Sequence, residues 1–141
     1  MVSANLFSTK ESSSGDNGNS NSENTPGSNE FAYGILDNFN TIRGFKYVDF
    51  SNKSTINVTI RGQKYIVYGN SSKHIINTFK VSSFDAFTSI ENNFPFVLKR
   101  TNGIKYTVLG SGINGTTLEK PTYAYVAIWS AWLDFYDNYT F

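Results

Sequence analysis

Cysteine is absent from the 141-residue chain, and histidine occurs once, as His74. The protein can therefore form no disulfide and offers no thiolate, and its redox compartment is left undetermined. A zinc site draws on cysteine and histidine side chains, and a calcium loop draws on closely spaced aspartates. Because the sequence contains neither pattern, we predict no metal site and no cofactor.

Charge is also scarce. Only 16% of the residues are charged, the net charge is +1, and Lys and Arg form no continuous run. A nucleic-acid-binding protein normally carries a basic stripe that neutralises phosphates. We therefore predict no nucleic-acid partner, and we expect Ser, Thr and Asn to keep the surface soluble.

Long apolar runs are missing as well. Residues Met1–Glu11 show no cationic segment followed by an apolar stretch, and no stretch of the chain is apolar for the length of a bilayer. We expect no signal peptide, no transmembrane segment and no membrane insertion. The localisation is not determined by these observations, and a virion or cell surface is favoured over the setting of a cytoplasmic enzyme.

Aromatic residues, in contrast, are abundant. They make up 16% of the chain, with 12 Phe, 9 Tyr and 2 Trp. Each buried ring removes about 150–250 Å² from water, so a few rings are enough to close the core of a small domain. The core is therefore predicted to consist of rings more than of Leu and Ile.

The first 30 residues differ in composition from the rest. Between Ser8 and Glu30 the chain consists mostly of Ser, Asn, Gly and Glu. Such residues bury too little apolar surface to offset an ordering entropy of about 1–2 kcal/mol per residue. We predict a low-complexity N-terminal arm over residues 1–30 and a single β-rich globular domain over residues 31–141.

A short motif, Gly-x-Lys-Tyr, occurs three times, beginning at Gly44, Gly62 and Gly103. Arg61-Gly62 and Asn102-Gly103 are suited to hairpin turns, because glycine accepts the positive φ that such turns need. The residues after each turn alternate as in a strand. We therefore predict two β-hairpins in which the lysines face water and the tyrosines face inward.

Periodicity predicts further elements. Gly44–Phe50 and His74–Val81 alternate as strands do, whereas Ser82–Asn93 favours one or two helical turns with Ser83 as their N-cap. Near the C-terminus the period changes to steps of three and four residues, which predicts a helix over Thr122–Tyr136. The apolar face of this helix consists of Tyr125, Ile128, Trp129, Trp132 and Tyr136.

These elements together predict an α+β fold. It consists of a small, mostly antiparallel β-sheet of hairpins, one C-terminal helix packed on the sheet, and a flexible N-terminal arm. Both tryptophans, Trp129 and Trp132, are expected to lie between the helix and the sheet.

No catalytic constellation is visible. His74 stands at the start of a predicted strand, and nothing in the sequence places a nucleophile and an orienting acid beside it. The acidic residues of the predicted domain are scattered singly and form no paired-carboxylate motif. We predict that the protein is not an enzyme and has no catalytic residues.

Exposed aromatic rings on a small β domain would offer a stacking platform for sugars. The candidate ligand or partner contacts are Tyr123, Tyr125, Trp129 and Trp132. Their helical spacing favours the interpretation that most belong to the core. Exposure discriminates between the two interpretations, because burial of both tryptophans would remove such a site.

The C-terminal quarter of the chain contains a spaced set of glycine, apolar and aromatic residues. They are Gly110, Gly112, Ile113, Gly115, Leu118, Trp129, Ala131, Trp132 and Phe135. This set resembles the end of an uncharacterised prokaryotic domain family, which shows Gly-x-[Ala/Gly]-[Val/Ile]-x-Gly, then a Leu, then Trp-x-Ala-Trp-x-x-Phe. The family's earlier cysteine-containing part has no counterpart in this chain, and the resemblance implies a fold element without implying an activity.

Two hypotheses of function follow. The first is a non-catalytic structural or interaction subunit of a larger assembly, of the virion or cell-surface type. Its partners would be other protein subunits, identical or different, contacted through the N-terminal arm. The alternative is a ligand-binding module, for carbohydrate above all, that uses exposed aromatic residues.

Overall fold

The computed structural model describes residues 25–36, 41–136 and 138–141, so most of the predicted N-terminal arm lies outside the described residues. Ten strands and one α-helix follow one another along the described chain: β1 (Phe31–Leu36), β2 (Thr41–Phe45), β3 (Thr55–Ile60), β4 (Gln63–Asn70), β5 (Ile75–Val81), β6 (Phe87–Ser89), β7 (Phe96–Arg100), β8 (Lys105–Thr107), β9 (Ala124–Ile128), α1 (Trp129–Phe135) and β10 (Asn138–Thr140).

The predicted α+β class is confirmed. The sheets are mostly antiparallel, and α1 near the C-terminus is the single α-helix of the described residues. The described chain divides into two compact units: unit 1 joins the residues up to Lys46 to Tyr123–Phe141, and unit 2 is Tyr47–Thr122. Unit 2 is thus inserted into unit 1 between β2 and β9. The single domain over residues 31–141 stays a prediction.

Unit 1 contains a four-stranded sheet in the order β10-β2-β1-β9. Strand β1 pairs antiparallel with β2 and β9, and β10 pairs parallel with β2. The sequence of β1 is nearly all apolar, which is typical of a central strand that is covered on both faces. Its inner residues are buried on both faces, with Ala32 and Gly34 on one face and Tyr33 and Ile35 on the other.

Helix α1 packs on the face of β1 that carries Ala32 and Gly34. The Nε1 of Trp132 donates a hydrogen bond to the carbonyl oxygen of Ala32 at 3.0 Å. A Cβ placed on Gly34 would lie 2.7 Å from the Trp132 ring and 2.8 Å from a methyl carbon of Ile42. The helix therefore approaches the sheet over a glycine, which leaves room for the indole. The buried cluster of unit 1 consists of Ala32, Ile42, Trp129, Trp132 and Tyr139.

Unit 2 consists of two three-stranded antiparallel sheets, β3-β4-β5 and β6-β7-β8. One buried cluster contains side chains from both sheets, so the two sheets share a core. Four of its eight members are aromatic, as the composition predicts. The members are Ile66, Tyr68, Phe79, Val81, Phe87, Val97, Leu98 and Tyr106.

Both predicted hairpins are present. Strands β3 and β4 are joined by Arg61 and Gly62, which have φ values of 49° and 82°. Two consecutive positive φ values are the signature of a type I′ turn, whose twist matches that of the flanking strands. The second hairpin joins β7 to β8 through a turn that contains Gly103, with φ of 92°.

Two predicted elements in the middle of the chain are wrong in part. The strand predicted over Gly44–Phe50 ends at Phe45, and Tyr47–Phe50 forms a 3-10 turn. The turn allows the Phe50 ring to pack directly on the backbone of Gly69. The chain therefore leaves the strand after Phe45 and buries the Phe50 ring instead.

The helical turns predicted over Ser82–Asn93 reduce to one 3-10 turn, Phe84–Ala86, followed by β6. Ser83 stands at the N-cap position of this turn, but its side chain makes no capping hydrogen bond. Pairing with β7 satisfies the backbone groups of Phe87–Ser89 in place of a further helical turn.

The C-terminal helix is shorter than predicted. The helix expected over Thr122–Tyr136 is strand β9 in its first part, and α1 begins only at Trp129. Strand β9 pairs with β1 over its whole length, from Ala124 opposite Ile35 to Ile128 opposite Phe31. Tyrosine, valine and isoleucine suit a strand, and a partner strand was available. The expected position of both tryptophans between helix and sheet is confirmed.

The last residues of the predicted arm are attached to unit 1. The backbone N–H of Trp129 donates to the carbonyl of Glu30 at 2.8 Å, and that of Ser130 donates to the carbonyl of Ser28 at 3.0 Å. The first N–H groups of a helix have no partner within the helix. Residues Ser28–Glu30 supply that partner, so the end of the predicted arm contributes backbone contacts to unit 1.

Replacement of Gly34 by alanine tests the close approach of the helix. We expect Gly34→Ala to lower the free energy of unfolding by about 1–3 kcal/mol, because the new methyl group overlaps the Trp132 ring. Both tryptophans of the chain lie in unit 1, so their fluorescence during urea unfolding reports on this unit. Gly27→Ala is the control, since a Cβ there meets nothing within 4 Å. Equal stability of the two variants would contradict the packing described.

Candidate interaction surface

The two tryptophans among the candidate contacts are core residues. Trp129 and Trp132 each retain 2% of their accessible surface. The Trp129 ring meets Tyr139 and Phe141 edge to face, with centroids 5.0 Å apart in both pairs. The Trp132 indole N–H is bonded to the Ala32 carbonyl. Neither ring therefore presents a face to a ligand at the surface of the described chain.

The two tyrosines among the candidates are exposed. Tyr123 retains 60% and Tyr125 46% of its accessible surface. Tyr125 stacks on Trp132, with ring centroids 4.7 Å apart and planes 16° from parallel. The structure thus brings Tyr125, Trp129 and Trp132 into one aromatic region at the β9–α1 junction. Only Tyr125 carries this region to the solvent.

Tyr125 is also the residue whose ionisation the structure alters most clearly. Partial burial of its hydroxyl, a hydrogen bond with Tyr136 and the charge of Tyr136 together raise the pKa of Tyr125 above the usual 10.0. Each effect disfavours the phenolate. The Tyr125 hydroxyl is therefore a neutral hydrogen-bonding group throughout the physiological pH range.

Strand β9, which carries Tyr125, has one unpaired edge. The Tyr123 carbonyl accepts a hydrogen bond from Leu36 N of β1 at 2.9 Å, so Tyr123 directs its backbone groups toward β1. Tyr125 lies two residues further along and pairs with Gly34 of β1. Backbone groups of an antiparallel strand alternate between its two sides. Ala124, Val126 and Ile128 therefore direct their backbone groups away from β1. Among the described residues no strand pairs with that side of β9.

An exposed apolar patch borders this edge. Phe31 lies directly opposite Ile128 in the ladder, and Val126 is the next residue of β9 on the same face. All three side chains are exposed, and we call them the edge patch. Further inside the sheet the same face becomes buried at Tyr33 and Ile35. The edge patch is thus the exposed rim of an apolar sheet face.

Other strand edges of the described chain are shorter, covered or more polar. The outer side of β8 is covered by the segment around Ser111 and Gly112, and Lys80 N of β5 donates to the Glu119 carbonyl at 2.8 Å. Strands β6 and β10 have three residues each. On β3 the exposed side chains are the polar Asn57 and Thr59. Among the strands of residues 25–36, 41–136 and 138–141, only β9 combines an unpaired edge with exposed Val, Ile and Tyr side chains.

The unpaired edge of β9 does not follow from the periodicity of the sequence. Its signal is present, because residues 121–133 contain no charged side chain and Ala124–Ile128 contains the strand-forming residues Tyr125, Val126 and Ile128. Natural edge strands usually carry Lys, Pro or a bulge that prevents pairing with another chain. The helical spacing of the tryptophans concealed the strand that precedes them.

The described chain places His74 beside an aromatic ring. His74 lies in the turn before β5 with φ of 54°, is exposed, and stacks on Tyr47 with centroids 5.0 Å apart. Within residues 25–36, 41–136 and 138–141, no three His, Asp or Glu side chains are grouped so that they could hold a metal ion. No helix in these residues has the length and apolarity needed to cross a membrane.

Comparison of the chain with protein-family models, with curated proteins and with solved structures gives no match. The resemblance of the C-terminal quarter to an uncharacterised prokaryotic domain family therefore stays a prediction.

Burial of the tryptophans has a direct spectroscopic test. We expect blue-shifted emission and weak quenching by acrylamide in the folded protein, because both indoles are enclosed. We also expect Trp132→Phe to lower the free energy of unfolding by about 1–3 kcal/mol, since it removes a buried hydrogen bond and part of the ring.

Phe135→Ala is the matched control for Trp132→Phe. Phe135 belongs to the same helix and is 79% exposed, so its loss should change stability by no more than about 0.5 kcal/mol. The fluorescence of Trp129 reports unfolding in both variants. Strong acrylamide quenching, or equal stability of the two variants, would contradict the packing of Trp132.

The raised pKa of Tyr125 predicts a difference in alkaline titration. The folded protein holds the Tyr125 proton more tightly than the unfolded chain does, so the associated stability is complete below pH 10.0 and is lost as the pH rises through the folded-state pKa. We expect the tyrosinate absorbance of Tyr125→Phe to lack a component that titrates late in the native wild type. In denaturant the missing component should titrate in the ordinary range. If the component lost in Tyr125→Phe titrates at the same pH in the native and the denatured protein, the raised pKa of Tyr125 is refuted.

Proposed function

We propose that the protein is a non-catalytic interaction subunit of a larger assembly, of the virion or cell-surface type. The observation that carries the proposal is the unpaired edge of β9 beside the edge patch. An edge strand with free backbone groups is a template for pairing with another chain. Addition of a strand to such an edge is a common mode of protein recognition.

The chemistry around β9 supports a protein partner. Residues 121–133 contain no charged side chain, and the exposed side chains of β9 are Tyr125, Val126 and Ile128. Protein interfaces are depleted of charge at their centre and enriched in aromatic residues. Backbone hydrogen bonds would supply part of the affinity, and the apolar side chains would supply the burial.

The N-terminal segment supports the same class of function. Residues 1–24 consist mostly of Ser, Asn, Gly and Glu, and the chain continues from them to Phe31 at the start of β1. Phe31 belongs to the edge patch. An arm that enters the protein beside its exposed edge is well placed to contact a neighbouring subunit. We therefore propose the arm as a second contact with other protein subunits.

A carbohydrate-binding module is the weaker alternative. It requires flat rings with an accessible face, and Trp129 and Trp132 are buried. The alternative therefore rests on Tyr123 and Tyr125 alone. Tyr125 already uses one face of its ring for the stack on Trp132. A sugar-stacking platform would therefore consist of the free face of the Tyr125 ring and the exposed ring of Tyr123.

Co-sedimentation from the native source tests the assembly proposal. We expect the protein in the particle fraction at a fixed stoichiometry, measured by quantitative mass spectrometry. A version lacking residues 1–24 should leave that fraction, because it loses the proposed arm contact.

The truncated version must keep the stability of the folded units, which tryptophan fluorescence in urea measures, with a change of no more than about 0.5 kcal/mol. Recovery of the full-length protein only as free soluble protein would refute the assembly proposal.

A further inference from the structure

We propose that the occupant of the β9 edge is the β9 strand of a second copy of this chain, paired antiparallel about a two-fold axis at Val126. This inference rests on the proposed function and names the partner of that surface. Two four-stranded sheets would become one continuous sheet across the dimer. The first support is the register of the strand itself.

The outward-facing residues of β9 complement themselves. A two-fold axis at Val126 places Val126 opposite its own copy, and Ala124 opposite Ile128 of the second copy. All three residues direct their backbone groups outward, so hydrogen-bonded pairs would face each other along the whole five-residue strand. An axis at any other residue would leave part of this short strand unpaired. Val126 therefore defines the register with the longest ladder.

The side chains also match in size. On the face of the edge patch, Ile128 would meet the small Ala124 and Val126 would meet Val126. On the opposite face, Tyr125 would meet Ala127. Cross-strand pairs of this kind, large against small and β-branched against β-branched, stabilise neighbouring strands. Phe31 of each copy lies beside Ile128 and would extend the apolar contact.

Charge does not oppose the pairing. Residues 121–133, which include all of β9, contain no charged side chain. Two copies of β9 side by side therefore bring no like charges together along the strand.

Cross-linking at the axis tests the register. The chain contains no cysteine, so Val126→Cys introduces a single thiol. Directly opposite residues in a hydrogen-bonded pair have Cα atoms about 5.5 Å apart, within the range of about 4.4–6.8 Å that a disulfide spans. We expect Val126→Cys to form a disulfide-linked dimer with oxidised glutathione. Leu109→Cys, exposed in unit 2, is the control and should stay monomeric on a non-reducing gel.

Sedimentation velocity measures the pairing without a cross-link. We expect the wild type to approach twice its 15.8 kDa mass with rising concentration. Val126→Lys should remain at the monomer mass, because two ammonium groups would meet at the axis. Leu109→Lys should behave as the wild type. Unchanged tryptophan fluorescence and circular dichroism in Val126→Lys would show that the variant is folded, as expected for an exposed side chain.

The outcomes separate this inference from the assembly proposal. Dimerisation that Val126→Lys abolishes, together with selective cross-linking of Val126→Cys, supports the two-fold edge. Dimerisation that survives Val126→Lys but is lost without residues 1–24 overturns the edge and leaves the arm contact standing. Monomers throughout, or equal cross-linking of Val126→Cys and Leu109→Cys, also overturn the edge. Co-sedimentation with a particle then decides the assembly proposal separately.

Discussion

The packing of Trp132 on β1 is the interaction on which unit 1 depends. The indole approaches the bare backbone of Gly34, donates its N–H to the Ala32 carbonyl, and stacks on Tyr125. One side chain thus connects the helix, the central strand and the edge strand. The apolar area that it buries and the hydrogen bond that it satisfies act on the same three elements. Helix α1, only seven residues long, could not be stable without this packing.

The hairpins and the aromatic core could be predicted from the sequence because their causes are local. The Arg61-Gly62 turn requires positive φ at adjacent residues, and the strands on either side of it alternate in polarity. The burial of Trp129 and Trp132 followed from their three-residue spacing. Strand β9 could not be predicted in the same way, because its partner β1 lies about a hundred residues earlier in the chain and periodicity sees only near neighbours.

The candidate site likewise has a part that local spacing predicts and a part that depends on the whole fold. Spacing identified the aromatic region at the C-terminus and correctly favoured burial for its tryptophans. It could not identify which edge of the sheet is open, since strand order is a property of the whole fold. The resulting surface is a backbone edge flanked by ordinary apolar side chains, and no residue-type motif marks it. In the sequence, this edge is marked mainly by the absence of charged residues over residues 121–133.

The Trp132–Ala32 hydrogen bond joins residues that are 100 positions apart, which bears on the order of folding. Unit 2 is one uninterrupted stretch whose strands pair with near neighbours, so its contacts form early and at low entropic cost. Unit 1 must bring both ends of the chain together across that stretch. On the ribosome, β1 and β2 emerge long before β9 and α1. The apolar strand β1 therefore stays without its partner strand β9 and its covering helix α1 until those residues are synthesised. Prior folding of unit 2 shortens the effective loop that unit 1 has to close.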